Sequence, residues 1–89
     1  MVRTVADAVR ALIGALSEED LDRVRTATDA ELVMLHPTLG AVVREEMRLW
    51  KDNHELLAAS GEAHPDDASM RIIEALRHEL RCRYEIRPH

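Results

Sequence analysis

LHPTLGAVVREEMRLW, residues 35–50, and HPDDASMRIIEAL, residues 64–76, are the two stretches that decide the fold of this chain. In the first, Leu39, Val42, Val43, Met47, Leu49 and Trp50 fall on one arc of a helical wheel. Pro37 suits a first helical turn, where its missing N–H has no partner to lose, and does not suit a helix interior. It also biases His36 away from helical dihedrals. The pattern therefore predicts a long helix from about Pro37 to about Asp52. In the second stretch, Pro65, Asp66 and Asp67 set up a helix start, with carboxylates facing free N–H groups. Ser69, Ile73, Leu76 and Leu80 line its buried stripe, with Ile72 beside it.

Outward from these two segments the chain stays helical. Thr4 caps a first helix, with Asp7 three residues on, and Val5, Val9, Leu12, Ile13 and Leu16 form one stripe. Ser17 followed by Glu18, Glu19 and Asp20 opens a short second helix with Leu21 and Val24 inward. Thr28-Asp29-Ala30-Glu31 opens a third, which Pro37 is expected to end near Leu35. Ser60-Gly61 closes the long central element as a C-cap. No strand alternation of useful length appears. The expectation is a single all-α domain, 1–89, a small bundle of four to five helices with short loops.

At 89 residues the chain buries only about 60–65% of the surface that its unfolded form exposes, so its core is thin. A net charge of −5 argues against bulk binding to nucleic acid, since phosphates need a basic surface. The C-terminal Arg77, Arg81, Arg83 and Arg87 stand against that balance. Either they lie near a helix C-terminus, where cations suit the dipole, or they form a small patch for an anion or acidic partner. Cys82 is alone, which fits a reducing compartment. No apolar run is long enough for a membrane span. The N-terminal segment carries Asp7 and a helical period rather than the marks of a signal peptide, so a cytoplasmic location is expected.

A few residues exceed what helix packing requires. With Leu39 at 0°, Glu46 falls at about −20° and Asn53 at about −40°, near the middle of the apolar arc, with Trp50 between them. An unpaired buried carboxylate costs several kcal/mol or takes up a proton. Glu46 then needs a donor — His36, an Arg from another helix or backbone N–H groups — unless that face is half open and it reaches water. Gly40 costs up to about 1 kcal/mol in a helix relative to Ala, and close approach of a neighbouring helix would explain it. Arg44 is either a snorkelling surface residue or the ion-pair partner of Asp66 or Asp67. Trp50 is either the largest core residue or an interface anchor.

Catalytic signatures are missing: the chain has no Gly-rich phosphate loop and no G-x-S-x-G elbow. Among the five histidines no HxxxH or HExxH pair occurs. No catalytic residue, metal ligand or cofactor is therefore assigned. The expected function is a non-enzymatic interaction or regulatory domain, an adaptor or immunity-like protein, with another protein or a second copy of itself as partner. The alternative is a small-molecule or metal-binding domain with a polar site near Glu46, His36 and Asp66, drawing also on Asn53 and His64.

The motif residues resemble an uncharacterised bacterial family of small helical proteins, a domain of unknown function. The resemblance rests on Leu35, His36, Leu39, Gly40, Val43, Arg44, Leu49, Trp50, Asn53, Leu56 and Leu57. It continues through His64, Pro65, Asp66, Asp67, Ser69, Ile72, Ile73 and Leu76, and spans about half of the chain. Met47 and Arg77 stand where the family pattern implies aromatics, and Arg48 where it implies glycine. The resemblance implies no reaction. It does imply that His36, Arg44, Trp50, Asn53, Asp66 and Asp67 belong together.

Overall fold

The computed structural model describes residues 4–46, 54–62 and 64–86. These residues form five helices: α1 (Val5–Ala15), α2 (Glu18–Thr26), α3 (Asp29–Glu46), α4 (His54–Ala59) and α5 (Pro65–Ile86). No strand occurs among the described residues, and none of their helices is long and apolar enough to cross a membrane.

Local chemistry sets the helix starts. Thr4 Oγ1 accepts the Asp7 N–H, and Ser17 Oγ accepts that of Asp20. At α3 the box is complete: Thr28 Oγ1 accepts from the Glu31 N–H at 3.2 Å, and Glu31 Oε1 accepts from the Thr28 N–H at 3.1 Å. Helices α1 and α2 each end on an extended residue, Leu16 and Ala27. After α4 the chain turns at Gly61, whose φ of +78° lies in the left-handed region that glycine tolerates.

Helix α5 is the hub and packs against α3, α1 and α2. Its inward face is Ala68, Ser69, Ile72, Ile73, Leu76 and Leu80, the expected stripe with Ala68 added. Ala8, Val9 and Leu12 meet it from α1, Val24 from α2, and Leu32, Leu39 and Val43 from α3. Each large aliphatic side chain fully buried here contributes about 1.5–3 kcal/mol of transfer free energy.

Two arginines of α5 tie down the α2–α3 corner. Arg81 donates through Nε to the Arg25 carbonyl at 2.9 Å and through Nη2 to the Ala27 carbonyl at 2.7 Å. Arg77 donates to the same Ala27 carbonyl at 3.2 Å and pairs with Asp29 at 2.6 Å. The last carbonyls of α2 lack helical donors, and these guanidinium groups supply them. The C-terminal arginines therefore do not form one anion patch. Two cap a neighbouring helix, Arg83 pairs with Glu79 on its own helix, and Arg87 lies outside the described residues. Arg71 binds Glu62 and Glu74, which fixes the connection before α5.

One expected boundary is wrong. Helix α3 does not stop near Leu35 but runs unbroken from Asp29 through Pro37 to Glu46. The buried positions Leu32, Leu39 and Val43 keep helical spacing straight through the proline, with half-buried His36 between them. Breaking the helix would pull one half of that stripe off α5. Interior proline costs about 3 kcal/mol, less than the burial lost with two or three large side chains. Pro37 itself faces outward, so its ring and the Val33 carbonyl that it deprives of a donor lie on the exposed side. The continuation of this helix expected to reach Asp52 lies outside the described residues, as does all of 47–53.

Candidate functional site

His36, Arg44, His64 and Asp66 converge where α3 meets the start of α5, around a residue that the candidate set did not contain. Ser69 is fully buried. Its hydroxyl donates to the Asp66 carbonyl one turn back, at 2.8 Å. With that one proton committed, the oxygen has two lone pairs left. His36 Nε2 lies 2.8 Å from it and Arg44 Nη1 3.2 Å. The hydroxyl accepts from Arg44, and the His36 tautomer sets the direction of its hydrogen bond with Nε2. Every hydrogen-bonding site of the Ser69 hydroxyl is filled.

Asp66 is engaged through three separate groups. Its carbonyl takes the Ser69 proton, its carboxylate pairs with Arg44 at 3.0 Å, and its N–H donates to His64 Nδ1 at 3.1 Å. His64 thus acts as a capping acceptor for α5, while its own carbonyl accepts the Ala68 N–H. The ion pair expected of Arg44 forms, and Asp66 is its partner. Asp67 is exposed on the first turn of α5. Trp50 and Asn53 lie outside the described residues, and so does the Glu46 side chain, so none of the three is placed relative to this cluster.

Gly40 has a different cause from the one expected. A β-carbon there would meet His36 Cδ2 at 2.6 Å, His36 Nε2 at 2.8 Å and Arg44 Nη1 at 3.0 Å. The crowding comes from side chains four residues away on the same helix, not from a neighbouring backbone. Glycine leaves a shallow trough along α3, and the imidazole and guanidinium lie over it to reach Ser69.

A Ser–His contact resembles an activated nucleophile, and here it lies inside the α3–α5 junction. The hydroxyl is buried, and the Asp66 carbonyl and Arg44 engage it as well as His36. As built, the cluster is a crosslink between α3 and the first turns of α5. No group of three or more His, Cys, Asp or Glu placed to hold a metal occurs among the described residues.

Elsewhere, a groove of about 550 Å³ runs between α1 and α5, lined by Val5, Val9, Arg10, Ala75, His78 and Arg83 among others. Arg10 pairs with Asp7 and Arg83 with Glu79, so the cations at its rim are matched by carboxylates of their own helices. Cys82 Sγ lies 3.6 Å from His78 Nε2.

The outer face of α3 is unusual. Val33 is 60% exposed and Met34 79%, and Ala30, Pro37 and Ala41 are exposed beside them. Positions 30, 33, 34, 37 and 41 follow helical spacing, so these residues form one apolar stripe opposite the buried one. It was missed in the sequence because the expected break at Pro37 divided it. The raw signal was present: 29–46 is apolar on both sides.

Neither curated proteins nor solved structures give a significant match to the chain. A family model described as Domain of unknown function (DUF6794) matches residues 3–80, which take in the whole polar cluster, the α3 stripe and Arg77 of the two arginine clamps. This chain therefore belongs to that family, DUF6794, a domain of unknown function.

Proposed function

We propose that this domain is a non-enzymatic protein-interaction module whose working surface is the outer face of α3. One observation carries the reading: Val33, Met34, Pro37, Ala30 and Ala41 form a contiguous exposed apolar stripe on a helix whose opposite face is already buried. Isolated exposed apolar side chains are ordinary, whereas a contiguous set marks a contact surface. The polar cluster supports the reading from the other side, because its hydrogen bonds close on each other and serve the α3–α5 junction.

Site-specific photo-crosslinking in the source cells tests this. A photoreactive residue at position 34 should give a discrete adduct. The same residue at Arg23, exposed on the charged face of α2, should not. Equal, diffuse labelling from both positions, or none from position 34, would count against an interface on α3.

A further inference from the structure

We infer that the α3 stripe docks a single amphipathic helix of a partner protein, one whose apolar face is bordered by lysine or arginine. This rests on the interaction reading above and specifies its occupant.

The shape of the stripe suits one helix. It extends from Ala30 to Ala41, about 16 Å along α3. Small residues at both ends let another backbone come close, and Met34 provides an adaptable side chain between them. Pro37 adds a polar feature. It has no N–H, so the Val33 carbonyl has no donor from the residue four positions on. Val33 and Pro37 are both exposed. A backbone acceptor is thus presented within the apolar stripe, where a cationic side chain of the partner can donate to it.

Charge selects the partner. The edge of α3 away from the α5 start carries Glu31, Thr38 and Glu45, all exposed, with Met34 and Ala41 of the stripe about one turn from them. The two carboxylates are about 21 Å apart along the helix, and the chain as a whole has a net charge of −5. On the opposite edge Arg44 is held by Ser69 and Asp66. Glu31 also accepts the Thr28 N–H but keeps its charge, so this border is acidic and calls for a basic one.

Two other occupants fit less well. In an antiparallel pair of copies the acidic edges coincide, placing Glu31 of each against Glu45 of the other. Five side chains are also few beside the roughly 20–30 residues a side of a standard interface. An anionic membrane surface would be repelled by the same carboxylates.

The test uses the full chain and a labelled designed helical peptide as probe, with leucines at i, i+3, i+4, i+7 and i+11 bordered by lysines. Its counterpart carries glutamates in place of the lysines. Fluorescence anisotropy should show saturable binding of the lysine peptide that weakens with salt, and the glutamate peptide should bind at least roughly tenfold more weakly. Val33→Gln with Met34→Gln should weaken binding of the lysine peptide by roughly tenfold or more while the circular dichroism melt stays unchanged. Glu45→Gln should flatten the salt dependence. Equal binding of the two peptides, no saturable binding, or binding indifferent to the double variant would overturn the inference. So would a dimer in sedimentation equilibrium that the double variant disperses, or vesicle binding that it abolishes. The interaction reading fails separately: it falls if position 34 gives no crosslink. It survives, and only this occupant falls, if the crosslinked protein has no basic amphipathic helix.

Discussion

The imidazole of His36 lies in the space that Gly40 leaves empty: a β-carbon at Gly40 would stand 2.6 Å from Cδ2 and 2.8 Å from Nε2 of that ring. The ring cannot swing away freely, because Nε2 is hydrogen-bonded to Ser69, 33 residues away in sequence. In an open helix, Gly→Ala stabilises by up to about 1 kcal/mol. Here Gly40→Ala should instead destabilise by about 1–3 kcal/mol, the usual range for forcing extra volume into a packed site. In a His36→Ala background the penalty should shrink or change sign. Urea denaturation of the four variants gives the coupling directly. Additive effects would show that the imidazole is not what requires glycine.

Ser69→Ala should destabilise by about 1–3 kcal/mol. The substitution removes no core volume of note, so the loss is that of the hydroxyl shared by His36, Arg44 and the Asp66 carbonyl. Hydrogen exchange should localise the effect to the first turns of α5 and the middle of α3. A loss confined to the far end of α5 would contradict a crosslinking role.

Arg81→Lys is not a conservative change. The guanidinium bridges two carbonyls, those of Arg25 and Ala27, and a single ammonium cannot match that fork. A loss of about 1–3 kcal/mol is expected, little changed by added salt, since both acceptors are neutral. Breaking the exposed Arg23–Glu19 pair by Arg23→Gln should change stability by less than about 1 kcal/mol. Thermal melts at low and high salt separate the two cases.

The Glu31 carboxyl is held below its ordinary value of 4.5, first by the hydrogen bond from the Thr28 backbone N–H and then by the Thr28 side chain. A carboxyl depressed in the folded state contributes stability that is present above its unfolded value and lost as pH falls through the folded one. The wild-type chain should therefore lose stability from about pH 4.5 downward more steeply than Glu31→Gln, which keeps an amide oxygen at the cap but cannot titrate there. Parallel acid titrations followed by circular dichroism check this, and superimposable profiles would show that the cap does not couple to pH.

Pro37→Ala should stabilise α3 by about 1–3 kcal/mol, because the restored N–H can reach the Val33 carbonyl. If the free carbonyl serves docking, the same substitution should weaken binding of the lysine-bordered peptide while raising the melting temperature. A variant that gains stability and binds unchanged would remove the carbonyl from the recognition scheme.

Much of the fold was legible in local chemistry. The caps at Thr4, Ser17 and Thr28, the C-cap at Gly61 and the buried stripe of α5 all depend on residues within one or two turns of each other. Such signals survive in a linear string because the interacting groups are close along it. The Arg44–Asp66 pair was also within reach, since opposite charges stood at a helix border and a helix start.

Other outcomes are set by energies from distant residues. Pro37 signals a break locally, yet burying Leu32, Leu39 and Val43 on α5 outweighs that preference and keeps α3 whole. Gly40 looks like a helix contact until the paths of His36 and Arg44 to Ser69 are known. Arg77 and Arg81 look like a basic tail until α5 sets them beside the α2 carbonyls, some 50 residues earlier in the chain. Local signals along the chain suffice for a small all-helical fold with well-marked helix starts. Packing on α5 decided which polar groups meet, and which apolar face of α3 stays exposed.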